Sequence, residues 1–236
     1  MRKRIWELDA LRGLGILGVV AVHLVYDITE MFPIWQPQDK TLLYFLQEWG
    51  GILFLVLSGI CVTLGTKHIR RGLIVLACGL LVSAVTVAMY RLDFAGRDVI
   101  VYFGVLHCLG ICMLLWAAFR YVPVWLLPLF AVVFIYGGFY FMENVTPESM
   151  WLLALGAMPG NFVTADFFPL LPNLGYFLIG AALGKILYKN KQSLLPWVSE
   201  RNPVAAVFCW LGRNSLWIYL AHQPLIVGIL TLTVKE

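Results

Sequence analysis

Seven stretches of the chain are apolar almost without interruption: residues 8–28, 43–65, 71–90, 99–118, 123–141, 170–188 and 213–233. Each is close to the roughly 20 residues a helix needs to cross a hydrocarbon layer, and the charged residues gather between them. The pattern predicts an all-α protein, a polytopic membrane bundle of about seven transmembrane helices. Two pieces fit less neatly. Residues 142–169 form a long loop whose apolar centre, Trp151 to Met158, is too short to span, which predicts a re-entrant or interfacial segment. Residues 203–212 make a short apolar piece before the last stretch and read as an interfacial helix. The first stretch does not read as a cleavable leader. It follows Met1-Arg2-Lys3-Arg4, but it carries Asp9, Arg12, His23 and Asp27, which a leader's apolar core would not tolerate.

Composition sharpens this picture. Apolar and aromatic residues make up 61% of the 236 positions, while charged residues make up 13%. That charged share is about half that of an ordinary soluble domain. One core cannot hide so much apolar surface, so a soluble globule, a secreted disulfide scaffold, a nucleic-acid-binding domain and a disordered tail are excluded. The length predicts a single membrane domain over residues 1–236. The net charge of +4 implies no nucleic-acid partner, because the cations sit at span edges facing a lipid bilayer.

Those cations also orient the chain. With the N terminus cytoplasmic, the inner segments hold Arg2, Lys3, Arg4, Lys67, Arg70, Arg71, Arg120, Lys185, Lys189, Lys191 and Arg201, which is eleven of the 17. The outer side holds Lys40, Arg91, Arg97 and Lys235. This asymmetry predicts an inner N terminus and an outer C terminus. The five cysteines lie in apolar runs with no zinc-type spacing, and Cys108 and Cys112, four apart on a helix, read as small packing residues. Gly180 and Gly184 form a small-xxx-small motif, which means close helix contact within the chain or across a homodimer.

Ionisable groups inside spans are expensive, so each is a functional candidate. Asp9, Arg12, His23 and Asp27 all fall within an arc of roughly 60° on the first helix, at 100° per residue. They form a polar stripe facing the bundle interior, with Arg12 and His23 about 16 Å apart along the axis. His23 and Asp27 are four apart, so the carboxylate can orient the imidazole. That makes His23 either a general base or a nucleophile that carries an acyl group, against the plainer reading of a satisfied buried histidine. Asp9 and Arg12, three apart, read as an edge ion pair, or Arg12 anchors an anionic group such as a phosphate.

His107 in the fourth span and His222 in the seventh add two more intramembrane imidazoles. Three histidines could suggest a metal, but no ligand cluster has the spacing for one, so no metal is expected. Pro224 beside His222 frees a backbone carbonyl and suggests irregular helix next to a cavity. Glu48, a short way into the second span, reads either as facing the cavity of His23 or as a partner for an arginine or hydroxyl. Asp166 sits where the outer loop re-enters and reads equally as a helix cap or turn. Trp49 could stack on a sugar, although interfacial anchoring is its usual role.

The same residues carry a family resemblance. Arg4-Ile5-Trp6-Glu7-Leu8-Asp9-Ala10-Leu11-Arg12-Gly13 with His23-Leu24-Val25-Tyr26-Asp27 resembles the opening of the heparan-alpha-glucosaminide N-acetyltransferase catalytic-domain family. Three further blocks resemble its small bacterial members: Phe103 to His107, Asp166 to Pro172, and Leu211-Gly212-Arg213-Asn214-Ser215 through Tyr219-Leu220-Ala221-His222-Gln223-Pro224. The Arg12–His23 spacing and the ending from Leu211 to His222 are also similar to the wider membrane acyltransferase superfamily. The resemblance implies an acyltransferase of the bacterial cytoplasmic (inner) membrane. It would move an acetyl group from acetyl-CoA to an extracytoplasmic sugar or glycan. It makes His23, with Asp27, the catalytic position. Arg12, Asp9, His222 and Arg213 would lie toward acetyl-CoA, and Glu48, His107, Asp166 and Trp49 toward the acceptor. The chain lacks the sizeable lumenal domain of the large animal members, which sets heparan-type glucosamine in question. Two other classes remain: a small proton-coupled transporter or channel using the polar stripe, and a non-catalytic subunit of glycan assembly.

Overall fold

The computed structural model describes residues 4–37, 41–160, 162–197 and 202–234, without the side chains of 42–44 and 47–48. Among the described residues the chain forms eight α-helices: α1 (Trp6–Tyr26), α2 (Thr41–Leu64), α3 (His68–Arg91), α4 (Val105–Phe119), α5 (Leu127–Asn144), α6 (Leu170–Leu187), α7 (Pro203–Arg213) and α8 (Ser215–Val234). A π-helical turn, Asp27–Met31, prolongs α1. Each of the seven apolar stretches overlaps one of these helices, and α7 is the short piece before the last. Five helices are long and apolar enough to cross a membrane: α1 with its π turn, α3, α5, α6 and α8. The 24 residues of α3 rise about 36 Å, more than a hydrocarbon core of about 30 Å requires.

Exposure confirms which solvent these helices meet. Of its most apolar 18 residues, α3 buries 11% and α8 buries 6% inside the protein, whereas α6 buries 56%. Leu73, Ile74, Leu80 and Leu81 of α3, and Leu129, Val133, Tyr136 and Tyr140 of α5, stand exposed. In water such faces would drive aggregation; in lipid they are the outer surface of an integral membrane protein.

The chain forms two compact units, Met1–Leu57 with Asn190–Glu236, and Ser58–Lys189, so the boundary falls within α2. In the first unit α1 is flanked by α7 and α8. A Cβ at Gly13 would lie 2.0 Å from the carbonyl oxygen of Phe208, and one at Gly212 would lie 1.8 Å from that of Asp9. Only two glycines let α1 and α7 cross this closely. The loop before α7 is clasped to the start of α1. Trp6 Nε1 donates to the Leu195 carbonyl, while buried Glu7 accepts from Ser193 Oγ and the Leu194 N–H.

In the second unit α3 packs on α4 and α5 on α6. The end of α2 meets α6 through Gly59 and Gly184. A Cβ on Gly59 would lie 2.0 Å from the Phe177 carbonyl oxygen, and one on Gly184 would lie 2.6 Å from Thr63 Oγ1. The small-xxx-small motif is therefore used within the chain at Gly184.

The fourth stretch departs from its expected bounds of 99–118. Helix α4 starts only at Val105, and its 15 residues rise about 22 Å. The preceding residues are extended, with a parallel bridge between Phe103 and Phe167. Their backbone groups are taken up by distant partners. Ile100 O accepts from the Ala165 N–H and Thr164 Oγ1, and Phe103 O accepts from the Phe168 N–H. The Val101 N–H donates to Thr86 Oγ1, and Val101 O accepts from Ser83 Oγ. Non-helical backbone survives at membrane depth only when it is satisfied this way. The long loop supplies those partners. It makes a 3-10 turn at Met150–Leu155 and then lays residues 162–168 along 100–103.

Candidate active site

The polar stripe of α1 faces the α7–α8 side of the first unit. At its start, Asp9 Oδ2 accepts from Arg213 Nε at 3.1 Å and pairs with Arg4 at 3.6 Å. Arg12 does not make the expected bond to Asp9. It reaches Ser215 Oγ at 3.0 Å, on the first residue of α8, and Ser215 is buried. The short α7 turns the chain so that Arg213 and Ser215 flank the same end of α1. Two guanidinium groups, those of Arg4 and Arg213, therefore meet the Asp9 carboxylate, and a third, that of Arg12, lies one turn farther along α1 on Ser215.

Further along α1 the stripe meets α8. His23 is half-buried, and its ring stands edge-on to His222, with centroids 4.8 Å apart and planes inclined at 64°. Asp27 is fully buried at the junction of α1 and the π turn. Its two oxygens accept from Gln223 Nε2 at 3.1 and 3.0 Å. The contact that the four-residue spacing allows, Asp27 to His23, is not formed. Helix spacing brings two side chains within reach, but a donor on a neighbouring helix competes for the same carboxylate, and here Gln223 takes it. Arg12 pairs with the first turn of α8 and Asp27 with its third, so α1 and α8 run in the same direction.

The orientation of His222 is fixed by a backbone group. Its Nδ1 lies 2.5 Å from the carbonyl oxygen of Tyr219. A carbonyl has no proton to give, so Nδ1 must donate, and in the neutral ring Nε2 then carries the lone pair. That Nε2 is buried and has no hydrogen-bond partner among the described residues, and neither has Oε1 of Gln223, the next residue. The nitrogens of His23 also bond to no described residue.

His107 and Asp166 belong to the second unit, where they act on each other's segments. The Gly104 N–H donates to His107 Nδ1 at 3.2 Å, and the opposite nitrogen, Nε2, lies 3.3 Å from Ser83 Oγ. Asp166 Oδ2 accepts the Val105 N–H at 3.0 Å, so it caps α4 from 61 residues away. A Cβ on Gly104 would lie 2.1 Å from Asp166 Oδ2, which is why glycine stands there. Two of the four sequence blocks thus hold one helix start together. Trp49 is exposed on α2, near Phe45. The side chain of Glu48 lies outside the described residues. Cys108 and Cys112 are fully buried with their sulfurs 4.0 Å apart. Among the described residues, no group of three or more His, Cys, Asp or Glu side chains is placed to hold a metal ion.

Ser215 and Gln223 are the site residues that a reading of charge and histidine passes over. Gln223 could have been found by the rule that singled out His222, since it is a polar amide in the middle of an apolar span. Ser215 carried no such signal. Its value comes from its position facing Arg12.

The profile of the family described as heparan-alpha-glucosaminide N-acetyltransferase, catalytic, matches residues 4–224. No curated protein and no solved structure matches the chain.

Proposed function

The chain belongs to the heparan-alpha-glucosaminide N-acetyltransferase catalytic-domain family, and from that premise we propose that it moves an acetyl group from acetyl-CoA to an extracytoplasmic sugar or glycan. Membership makes it a membrane enzyme of acetyltransferase type. The observation that carries the finer reading is the pairing of His23 on α1 with His222 on α8, 4.8 Å apart. Acyl transfer needs a group that accepts the nucleophile's proton or the acyl group itself, and imidazole does either.

The remaining site residues fit around that centre. Arg12, Arg213 and Arg4 outnumber Asp9, and this surplus suits the phosphates of CoA. From Arg12 to His23 is about 16 Å, a distance an extended CoA arm can bridge from the cytoplasmic side. The acceptor approaches from the other side, where Trp49 offers a face for a sugar. Glu48 keeps its reading as an acceptor-side carboxylate. His107 and Asp166 are better explained as the clasp of α4, because their polar atoms serve its first turn. The whole chain, 1–236, acts as one catalytic domain in a bacterial cytoplasmic membrane, with its N terminus inside.

The test is thiol release from acetyl-CoA by the purified chain in liposomes, with a panel of amino sugars and glycans as acceptors. Wild-type protein turns over, and His23→Ala, still monodisperse by gel filtration, loses about 100-fold or more. Uptake of a sugar without thiol release would sink the acetyltransferase reading in favour of transport.

A further inference from the structure

Charge is divided unevenly between the two ends of the Ser58–Lys189 unit. One end is built from helix ends that the packing draws together. A Cβ on Gly72, one turn into α3, would lie 3.0 Å from the Gly110 carbonyl oxygen and 3.1 Å from Leu114 Cδ2, so α3 starts where α4 finishes. Lys185 Nζ, near the end of α6, donates to the Arg120 and Val122 carbonyls at 2.9 and 3.0 Å, just past α4. The close approach of Gly184 to Thr63 brings the end of α2 to the same place. Residues 58–78, 110–127 and 178–189, which make up this end, hold six cations and no Asp or Glu: Lys67, Arg70, Arg71, Arg120, Lys185 and Lys189. The opposite end, residues 91–104 and 143–169, holds two cations against five acids. In the first unit Arg4 and Arg213 find Asp9. Here Lys67, Arg70, Arg71 and Lys189 stand exposed and meet no carboxylate among the described residues.

Such a surplus draws anions from outside the chain. Their chemistry follows from what stands beside the cations. Ile69, Leu73 and Ile74 are exposed within one turn of Arg70 and Arg71, and Ile186 and Leu187 within one turn of Lys189. Tyr121 and Trp125, close after Arg120, are exposed too, as rings that anchor helices among lipid head groups are. A soluble phosphate or an acidic protein would meet the charges and leave those apolar side chains bare. A phospholipid brings both halves, a phosphate and acyl chains that run down the same helix faces. A zwitterionic head group would add a cation of its own, so the fit is to a head group with net negative charge. We propose that this end of the unit binds anionic phospholipid, with the phosphate seated on Lys67, Arg70 and Arg71 at the start of α3 and the chains along Leu73 and Ile74. The first turn of α3 has no acid and no side-chain cap, so the helix dipole adds to the pull on the phosphate. Arg71 is already turned that way: a Cβ on Gly65 would lie 3.0 Å from its Nη1, so the guanidinium lies back against the turn between α2 and α3. This surface belongs to a different unit from His23, Asp27 and His222, and it binds lipid without any reaction.

The experiment uses the full chain purified in mild detergent. It is offered phosphatidylglycerol or phosphatidylcholine with identical acyl chains, the lipid it keeps is counted by native mass spectrometry, and Tm is followed alongside. Neither readout needs acetyl-CoA, an acceptor or turnover, so a failure here leaves the acetyltransferase reading standing. Both are also blind to which way the chain sits in a membrane. Phosphatidylglycerol should be kept about tenfold better than phosphatidylcholine and should raise Tm further. The triple variant Lys67→Gln, Arg70→Gln and Arg71→Gln should cut that preference to about twofold or less. The double variant Arg120→Gln and Lys189→Gln leaves α3 untouched and should cut it about threefold, and it carries the test if the triple variant does not fold. Arg91→Gln with Arg97→Gln, at the opposite end, should leave the preference as it is. Equal retention of the two lipids by the wild-type chain would overturn the proposal. So would full preference in a folded inner-end variant, or an equal loss in the opposite-end one. Glycerol phosphate that displaces the kept lipid and raises Tm as far would mark a site for soluble phosphate and would overturn it as well.

Discussion

A histidine whose two ring nitrogens are already engaged within its own protein, one by a backbone N–H and one by a serine hydroxyl, has little left for a substrate, and that separates His107 from His222. His107 accepts the Gly104 N–H and faces Ser83 Oγ, which also donates to the Val101 carbonyl. Ser83→Ala would leave that carbonyl and one His107 nitrogen without partners in a region with no water to replace them. Each orphaned group costs about 1–3 kcal/mol, so the variant should melt earlier in detergent while keeping its turnover per folded molecule. His23→Ala is the mirror case: it breaks no hydrogen bond to a described residue, so its Tm should barely move while turnover collapses. If instead Ser83→Ala keeps its Tm and loses turnover, His107 belongs to the chemistry. The sequence marks all three intramembrane histidines alike, because cost in lipid depends on residue type alone. Their roles depend on partners such as Ser83, 24 residues from His107, which no local pattern reveals.

At the scale of elements, hydropathy placed the helices well, since lipid forces each spanning segment to satisfy its own backbone. It failed at the start of α4, where extended residues replace about one helical turn and a half. That segment is allowed only because residues 164–168 and two side chains of α3 satisfy it. The packing of α7 on α1 was equally hidden: a short apolar run reads as interfacial, and only the tertiary crossing gives Gly13 and Gly212 their meaning. Gly212→Ala would drive a methyl into the Asp9 carbonyl and push α7 off α1, carrying Arg213 and Ser215 with it. Strain of this kind costs about 1–3 kcal/mol or more, and acetyl-CoA affinity should fall with stability. Gly18, on the same helix, has nothing within 4 Å of an added Cβ. Gly18→Ala should therefore be neutral or stabilising by about 0.5–1 kcal/mol from helix propensity. Thermal melts of the two variants side by side check this, and equal losses would refute the crossing.

For the whole molecule, the parallel course of α1 and α8 bears on which way the chain sits in the membrane. Arg12 bonds to Ser215 at the start of α8, and Asp27 bonds to Gln223 farther along, so both helices leave the same side. A first and a seventh span must do this, whereas an even number of crossings would make them antiparallel. The arginine cluster of Arg4, Arg12 and Arg213 marks the side they leave, and excess positive charge is retained in the cytoplasm. With the chain expressed in a bacterial host, a phosphatase fused after Val234 should then be active on the outer side, and a fluorescent protein fused at the same point should stay dark. Charge reversal gives the sharper check. Replacing Lys67, Arg70 and Arg71 with glutamate removes three of the eleven cations that this orientation puts inside and should weaken the bias, producing a mixed population in the same fusions. A bright fluorescent fusion in the unaltered chain would place the arginines outside. The donor's phosphates would then have to bind on the side from which the acceptor comes, and the division of the site into a cytoplasmic donor end and an outer acceptor end would be lost.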